Sequence, residues 1–257
     1  MSIELSATEI KVCWKYLQLD ELPVVLDVPA LGRTESERRQ LVAQAIDGLR
    51  ERGLLGEQGV DPELAGLLVA LARYQWAVEA WLLLDRPVRA LAASHDETGA
   101  LAILQGNRLR LASCSAHSLL DELVRVAGLT AGPGRSVTVR AENLDAAALA
   151  AGQDMRRLAD ELIRLGERYS DAHELARMCA QHNRLGQLGA LVRDHLGRQC
   201  SGRRVVGLHS TPAGWYSQLR RISPGGTFVT VTPASPDVVT TQLRDLLTET
   251  REAAEQS

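Results

Sequence analysis

Cys179-x-x-His182, followed by His195 and Cys200, is the densest set of side chains in this chain able to hold a metal. Thiolate sulfur and neutral imidazole nitrogen are the donors zinc prefers, and short spacing would let them converge. The pattern of leucines around them reads as one long helix from Asp171 to about Leu196, with Leu175, Met178, Leu185, Leu188 and Leu191 as its apolar stripe. On such a helix Cys179 and His182 share a face, but His195 lies roughly 20 Å further along the axis. A site therefore requires a break near Gly186 or Gly189; otherwise the four residues are buried thiols and half-exposed histidines. This cluster is the one basis for reading the chain as a metal-dependent or small-molecule enzyme.

Other catalytic chemistry finds less support. No GxSxG pentapeptide is present, and His209 and Ser210, adjacent on a strand-like run, would point to opposite faces. Gly132-Pro133-Gly134-Arg135-Ser136 is glycine-rich, but it precedes a strand, lacks a phosphate-binding Lys and has Pro where a backbone N–H would be needed. It reads as a linker. Arg33 can pair with Glu35 or Glu37 as a surface ion pair, and Trp14, Trp76 and Trp81 fall on apolar faces that predict core. No catalytic residue and no metal ligand is assigned.

The elements that would position these residues alternate in type. Ser6 caps a helix from Ala7 to about Leu19. A loop with Pro23 and Pro29 leads to Thr34-x-x-Glu37, a capping box, and then to an apolar stripe of Leu41, Val42, Ala45, Ile46 and Leu49. Asp61-Pro62 opens another helix. The period then shortens to two, giving strands Val78 to Leu84, Val88 to Ala93, Ala100 to Leu104 and Leu109 to Ser115 before a helix begun at Ser118. After the segment 128–135 come a strand at Ser136 to Arg140, helices over Ala146 to Ala151 and Met155 to Arg168, and the long helix already described. Strands Arg203 to His209, Trp215 to Ile222 and Thr227 to Thr232 follow, and Ser235-Pro236 starts the last helix.

This order is a repeat. Leu111-Ala112-Ser113 matches Phe228-Val229-Thr230 at an offset of 117, the spacing that also separates Ser118 from Ser235, while Ile3 and Val137 differ by 134. The expected fold is α+β: a central antiparallel sheet flanked by two helical bundles, in two pseudo-symmetric halves. One domain spans 1–257, with an N-terminal half at 1–127, a linker at 128–135 and a C-terminal half at 136–257.

Composition narrows the function classes. The 257 residues are 45% hydrophobic and 24% charged, enough for a folded core. The 29 Lys and Arg nearly balance 32 Asp and Glu, so no global field attracts nucleic acid, and at 4% aromatics there are few platforms for stacking bases. The longest uncharged runs, 205–219 and 222–236, contain Gly and Pro and fall short of a membrane span, so no membrane insertion is expected. The four cysteines form no CxxC pair and predict reduced thiols. The first residues lack the charged and apolar regions of a signal peptide, which predicts a cytoplasmic protein.

Two motifs carry a resemblance. Gly32-Arg33-Thr34-x-x-Glu37-Arg38, after Leu22-Pro23-x-x-Leu26, and Thr211-Pro212-x-Gly214-x-Tyr216, followed by Thr227 to Ala234 with Pro233, resemble the signatures of EspG, the ESX (type VII) secretion-associated proteins of actinobacteria. Ser210 stands where an acidic residue is usual, Trp215 where Arg is, and Phe228 where Trp is. The resemblance implies a cytosolic, cofactor-free chaperone that binds the hydrophobic helical tip of the PPE member of a PE–PPE pair, keeps it soluble and directs it to its secretion machine. The partner would be a PE–PPE-like heterodimer or a related helical type VII substrate.

For the family, binding runs over the sheet, a strand-connecting loop and the C-terminal bundle. Carried here, the loop falls at His95, Asp96, Glu97 and Thr98, and the bundle candidates are Arg184, Leu185 and Leu188. The alternatives are a metal-dependent or small-molecule enzyme using Cys179, His182, His195 and Cys200 and a structural homodimer that pairs exposed strand edges; a weak homodimer is also compatible with the chaperone.

Overall fold

The computed structural model describes residues 2–27 and 34–256. In chain order the elements are β1 (Ser2–Ser6), α1 (Ala7–Tyr16), a 3-10 turn (Val24–Leu26), α2 (Glu35–Glu51), β2 (Leu55–Gly56), β3 (Gly59–Val60), α3 (Pro62–Ala72), β4 (Trp76–Leu83), β5 (Pro87–His95), β6 (Thr98–Gln105), β7 (Arg108–Ser115) and α4 (Leu119–Val126). The second half supplies β8 (Val137–Arg140), α5 (Ala141–Ala151), α6 (Met155–Arg164), α7 (Tyr169–Met178), β9 (Arg184–Arg193), β10 (Gln199–Thr211), β11 (Gly214–Ser223), β12 (Gly226–Pro233) and α8 (Pro236–Glu255).

Helix starts follow the capping chemistry. Ser6 Oγ accepts from the Glu9 amide at 3.2 Å while the Glu9 carboxylate accepts from the Ser6 amide at 2.6 Å, and Thr34 with Glu37 repeats the same reciprocal pair. Asp61 accepts from Leu64 N and Ser235 from Val238 N, each followed by Pro in the first turn.

Ten strands form one sheet in the order β1-β7-β6-β5-β4-β9-β10-β11-β12-β8, all pairs antiparallel. The order reads the same from either edge: each half is a four-strand meander whose last strand pairs with the half's own first strand, and the halves join at β4 and β9. Register corrects the residue matching within this repeat. Ile3 and Leu5 pair with Leu111 and Leu109, while Val137 and Val139 pair with Val231 and Val229. The buried Leu111 therefore corresponds to the buried Val231, 120 positions on, and not to the half-buried Phe228. The two matchings differ by three, an odd number, so the first would have turned the strand inside out.

One face of the sheet is covered by α4 and α8, over a core that includes Val78, Ala90, Leu188, Val206 and Leu243. On the other face α1–α3 pack over β1 and β5–β7 around Ile10, Leu64 and Leu91, and α5–α7 pack over β8 and β12 around Leu162, Leu175 and Val229.

The largest departure from expectation lies in the second half. The helix foreseen from Asp171 to Leu196 stops at Met178, and Arg184–Arg193 is a strand at the centre of the sheet. Gln181, at φ +52, turns the chain between them.

Candidate functional site

Strand alternation sorts the central residues. Val78, Ala80 and Leu82 of β4 and Leu188, Ala190 and Val192 of β9 face α8. Glu79, Trp81 and Leu83, together with Leu185, Gln187 and Gly189, face the other way, into the gap between the two bundles. There Trp81 is 39%, Leu83 52% and Leu185 43% exposed. These three are neighbours: Leu83 lies directly across from Leu185, and Trp81 sits between Gln187 on β9 and Arg89 on β5. The result is an apolar floor open to solvent.

Its surroundings are polar. The Arg89 guanidinium lies 5.4 Å from the Trp81 ring centroid, a cation–π contact. Glu79 lies directly opposite Gly189 of β9. Burial raises the Glu79 pKa above the ordinary carboxylate range, and a hydrogen bond with Trp81 partly offsets this. At the rim, Arg184 Nη2 meets Asp85 Oδ1 at 2.6 Å.

Toward the second bundle, His209 is buried and stacks on Tyr216 with ring centroids 5.5 Å apart. Its Nε2–H donates to the Met178 carbonyl at 3.0 Å, tying β10 to the end of α7. Burial lowers its pKa, the bond to Met178 opposes this, and nearby His182 lowers it further.

The residues singled out in the sequence are distributed as follows. Leu185 is on the open floor and Arg184 at its rim, but on a strand and not on a bundle helix. Leu188 is 1% exposed in the core under α8 and offers no surface. His95, Asp96, Glu97 and Thr98 form the β5–β6 turn at the opposite end of the sheet, where Gln75 exchanges two hydrogen bonds with Asp96. The fold does not bring this turn to Leu185.

The metal-type cluster is pulled apart. Cys179 caps α7, its thiol pushed up to about 11 by burial, and His182 lies in the following turn. His195 and Cys200 lie beyond β9, whose ten residues span about 30 Å. Among the described residues no group of three or more His, Cys, Asp or Glu side chains is placed to hold a metal.

The motif residues hold the framework together. Gly32 and Arg33 lie outside the described residues; Thr34 and Glu37 are the capping box of α2. Thr211, Pro212, Gly214 and Tyr216 surround the β10–β11 turn, against which the segment 128–135 crosses. Thr211 Oγ1 accepts from the Ala213 amide at 3.1 Å. Trp215 N donates to Thr130 O at 2.8 Å, Gly132 N donates to Trp215 O at 3.0 Å, and the Tyr216 hydroxyl donates to Pro133 O at 3.1 Å. Gly214, at φ +136, approaches so closely that a Cβ there would fall 2.6 Å from Gly132. Pro233 pairs with Tyr216 across the next strand.

The EspG family model matches residues 6–245. The chain belongs to the EspG family. Among solved structures, the type VII secretion system chaperone EspG5 of Mycobacterium tuberculosis, determined in complex with a PE25–PPE41 dimer, superimposes with a TM-score of 0.76 at 16% identity, covering 97% of each chain. That likeness establishes the EspG fold over nearly the whole length. A search of curated proteins finds no match. Among the described residues of this EspG-family chain, no helix is long and apolar enough to cross a membrane.

Trp81, expected in the core, is instead exposed on the floor because it falls on the face of β4 opposite α8, and Leu83 and Arg89 were not singled out in the sequence. Alternation within Trp76–Leu83 could have shown that Trp81 and Leu83 share a face, but not that this end of the face is left exposed.

Proposed function

We propose that this chain is a non-enzymatic type VII secretion chaperone acting in the cytoplasm, and that it binds the apolar helical tip of the PPE-like member of a PE–PPE pair on the open face of β4 and β9. The observation that carries the reading is the exposed floor of Trp81, Leu83 and Leu185, bounded by Arg89, Arg184 and Asp85. A contiguous apolar patch with a polar rim is the anatomy of a protein interface. Tryptophan on the floor and arginine at its edge are residue types enriched among those that dominate binding energy. An exposed helical tip is an aggregation hazard, and covering it calls for a standard interface of roughly 800 Å² per partner. Membership of the EspG family and the PE25–PPE41 partner of the EspG5 structure agree with this chemistry.

In this reading the primary contact is with Trp81, Leu83 and Leu185. The His95–Thr98 turn enters as a second contact only for a client long enough to span the roughly 23 Å from Leu83 to Trp76 along β4. Release requires an affinity in the nanomolar to micromolar range.

Co-expression with a PE–PPE-like pair from the same locus, followed by size-exclusion chromatography with mass determination, tests the reading. The expected product is a complex of one chain with one pair. A soluble pair that elutes apart from the chain at micromolar concentration would count against it.

A further inference from the structure

The two halves of the sheet differ in how far one hairpin is closed. In the first half β5 and β6 pair along their whole length, from His95 with Thr98 to Val88 with Gln105. Their counterparts β10 and β11 pair only from Thr211 with Gly214 to Val206 with Leu219. Beyond that point the strands diverge. The cause is a bulge: between Gly189 and Leu191 of β9, β10 runs from Val205 to Ser201, so that two extra residues push it outward. Gly202 permits the bulge to tuck against α8, since a Cβ there would fall 2.9 Å from Thr250 Oγ1.

The divergence opens a groove of about 740 Å³ on the α8 side of the sheet, walled by Arg203 and Arg204 of β10, Arg221 and Ile222 of β11, and Leu246 and Thr250 of α8. Arg204 is committed: it pairs with Glu249 and donates to the Arg220 carbonyl at 3.3 Å, closing the apex of the fork. Arg220 pairs with Asp145 on the far side. The side chains of Arg203 and Arg221 are exposed and make no hydrogen bond or ion pair among the described residues. Below the apex, Arg220–Ser223 pair with β12 on one side only. Because the Arg220 carbonyl points into the fork, strand alternation aims the Ile222 N–H and C=O there too. Ile222 itself is 83% exposed.

We propose that this fork binds an extended, carboxylate-bearing peptide segment of a partner protein. The segment adds to the free edge of β11 through the Ile222 backbone and sets its acidic side chains against Arg203 and Arg221. A free strand edge supplies affinity without regard to sequence, and two unpaired guanidinium groups supply the preference for Asp or Glu. The groove lies across the sheet from Trp81 and Leu185, so occupancy of one does not depend on the reading of the other.

Fluorescence anisotropy of the full chain with a labelled, acetylated peptide alternating Val and Glu tests the proposal, with the Val and Lys peptide as control. Saturable micromolar binding of the Glu peptide alone is expected. The Arg203→Gln/Arg221→Gln variant is expected to weaken it by at least about tenfold. Ile222→Pro, which removes the amide facing the fork, is expected to weaken it similarly while leaving the β12 ladder intact. No saturable binding, equal binding of the Lys peptide, or unchanged affinity in the arginine variant would overturn the proposal. Full displacement by millimolar inorganic phosphate with affinity unchanged in a folded Ile222→Pro chain would also overturn it, as a plain anion site.

Discussion

Leu185 and Leu188 are three residues apart, yet one lies on an open floor and the other in the core. On a helix they would share a face; on β9 they cannot. Leu188→Ala is expected to cost about 2–5 kcal/mol and Leu185→Ala about 0.5 kcal/mol or less, measured by urea denaturation. Similar costs for both would contradict the strand. His209 carries a pH signature. Its folded pKa is lowered, so the unfolded chain binds more protons as pH falls through the ordinary histidine range. Stability is therefore full above the unfolded pKa and is lost as pH drops toward the folded one. Thermal melts from pH 7.5 to pH 5.5 are expected to show a falling Tm, with a shallower slope in His209→Gln; an unchanged slope would remove His209 as the cause.

At the scale of elements, the segment 128–135 is held by the β10–β11 turn more firmly than its glycine content suggests. Gly132 sits under the Tyr216 ring, where a Cβ would fall 2.2 Å from Cζ. Gly132→Ala is expected to cost roughly 1–3 kcal/mol through overpacking, and Tyr216→Phe about 1 kcal/mol through the lost bond to Pro133 O. Chemical denaturation of both variants checks this, and a neutral Gly132→Ala would show that the crossing is loose. The same elements show what the sequence made legible. Capping at Ser6, Thr34, Asp61 and Ser235 announces four helices, and the period of two announces β4–β7. The end of α7 carries no such mark. Leu175, Met178, Leu185, Leu188 and Leu191 keep a helical spacing straight through a turn at Gln181 that neither Gly nor Pro announces. Gly186 serves close packing across strands: a Cβ there would fall 2.7 Å from Leu82. That reason is tertiary and invisible in local pattern.

For the molecule as a whole, the repeat was visible in the order of elements, and register then moved its residue matching from 117 to 120. Symmetry explains why one sheet carries two bundles: each half covers its own outer strands, and where β4 and β9 meet the first bundle's core reaches Ala77 and Leu191 but leaves Trp81, Leu83 and Leu185 exposed. The EspG motifs were legible as residues, but their roles at the α2 cap and the β10–β11 turn were not, because those roles depend on which segments cross. The floor of Trp81, Leu83 and Leu185 is the feature on which the functional account rests. Isothermal titration of a PE–PPE-like pair into the wild-type chain and into Trp81→Ala tests it most directly. Binding in the nanomolar to micromolar range is expected, falling by at least about tenfold in the variant, whose circular dichroism remains that of a folded chain at the titration temperature. Equal affinity in both chains would place the client elsewhere and contradict it.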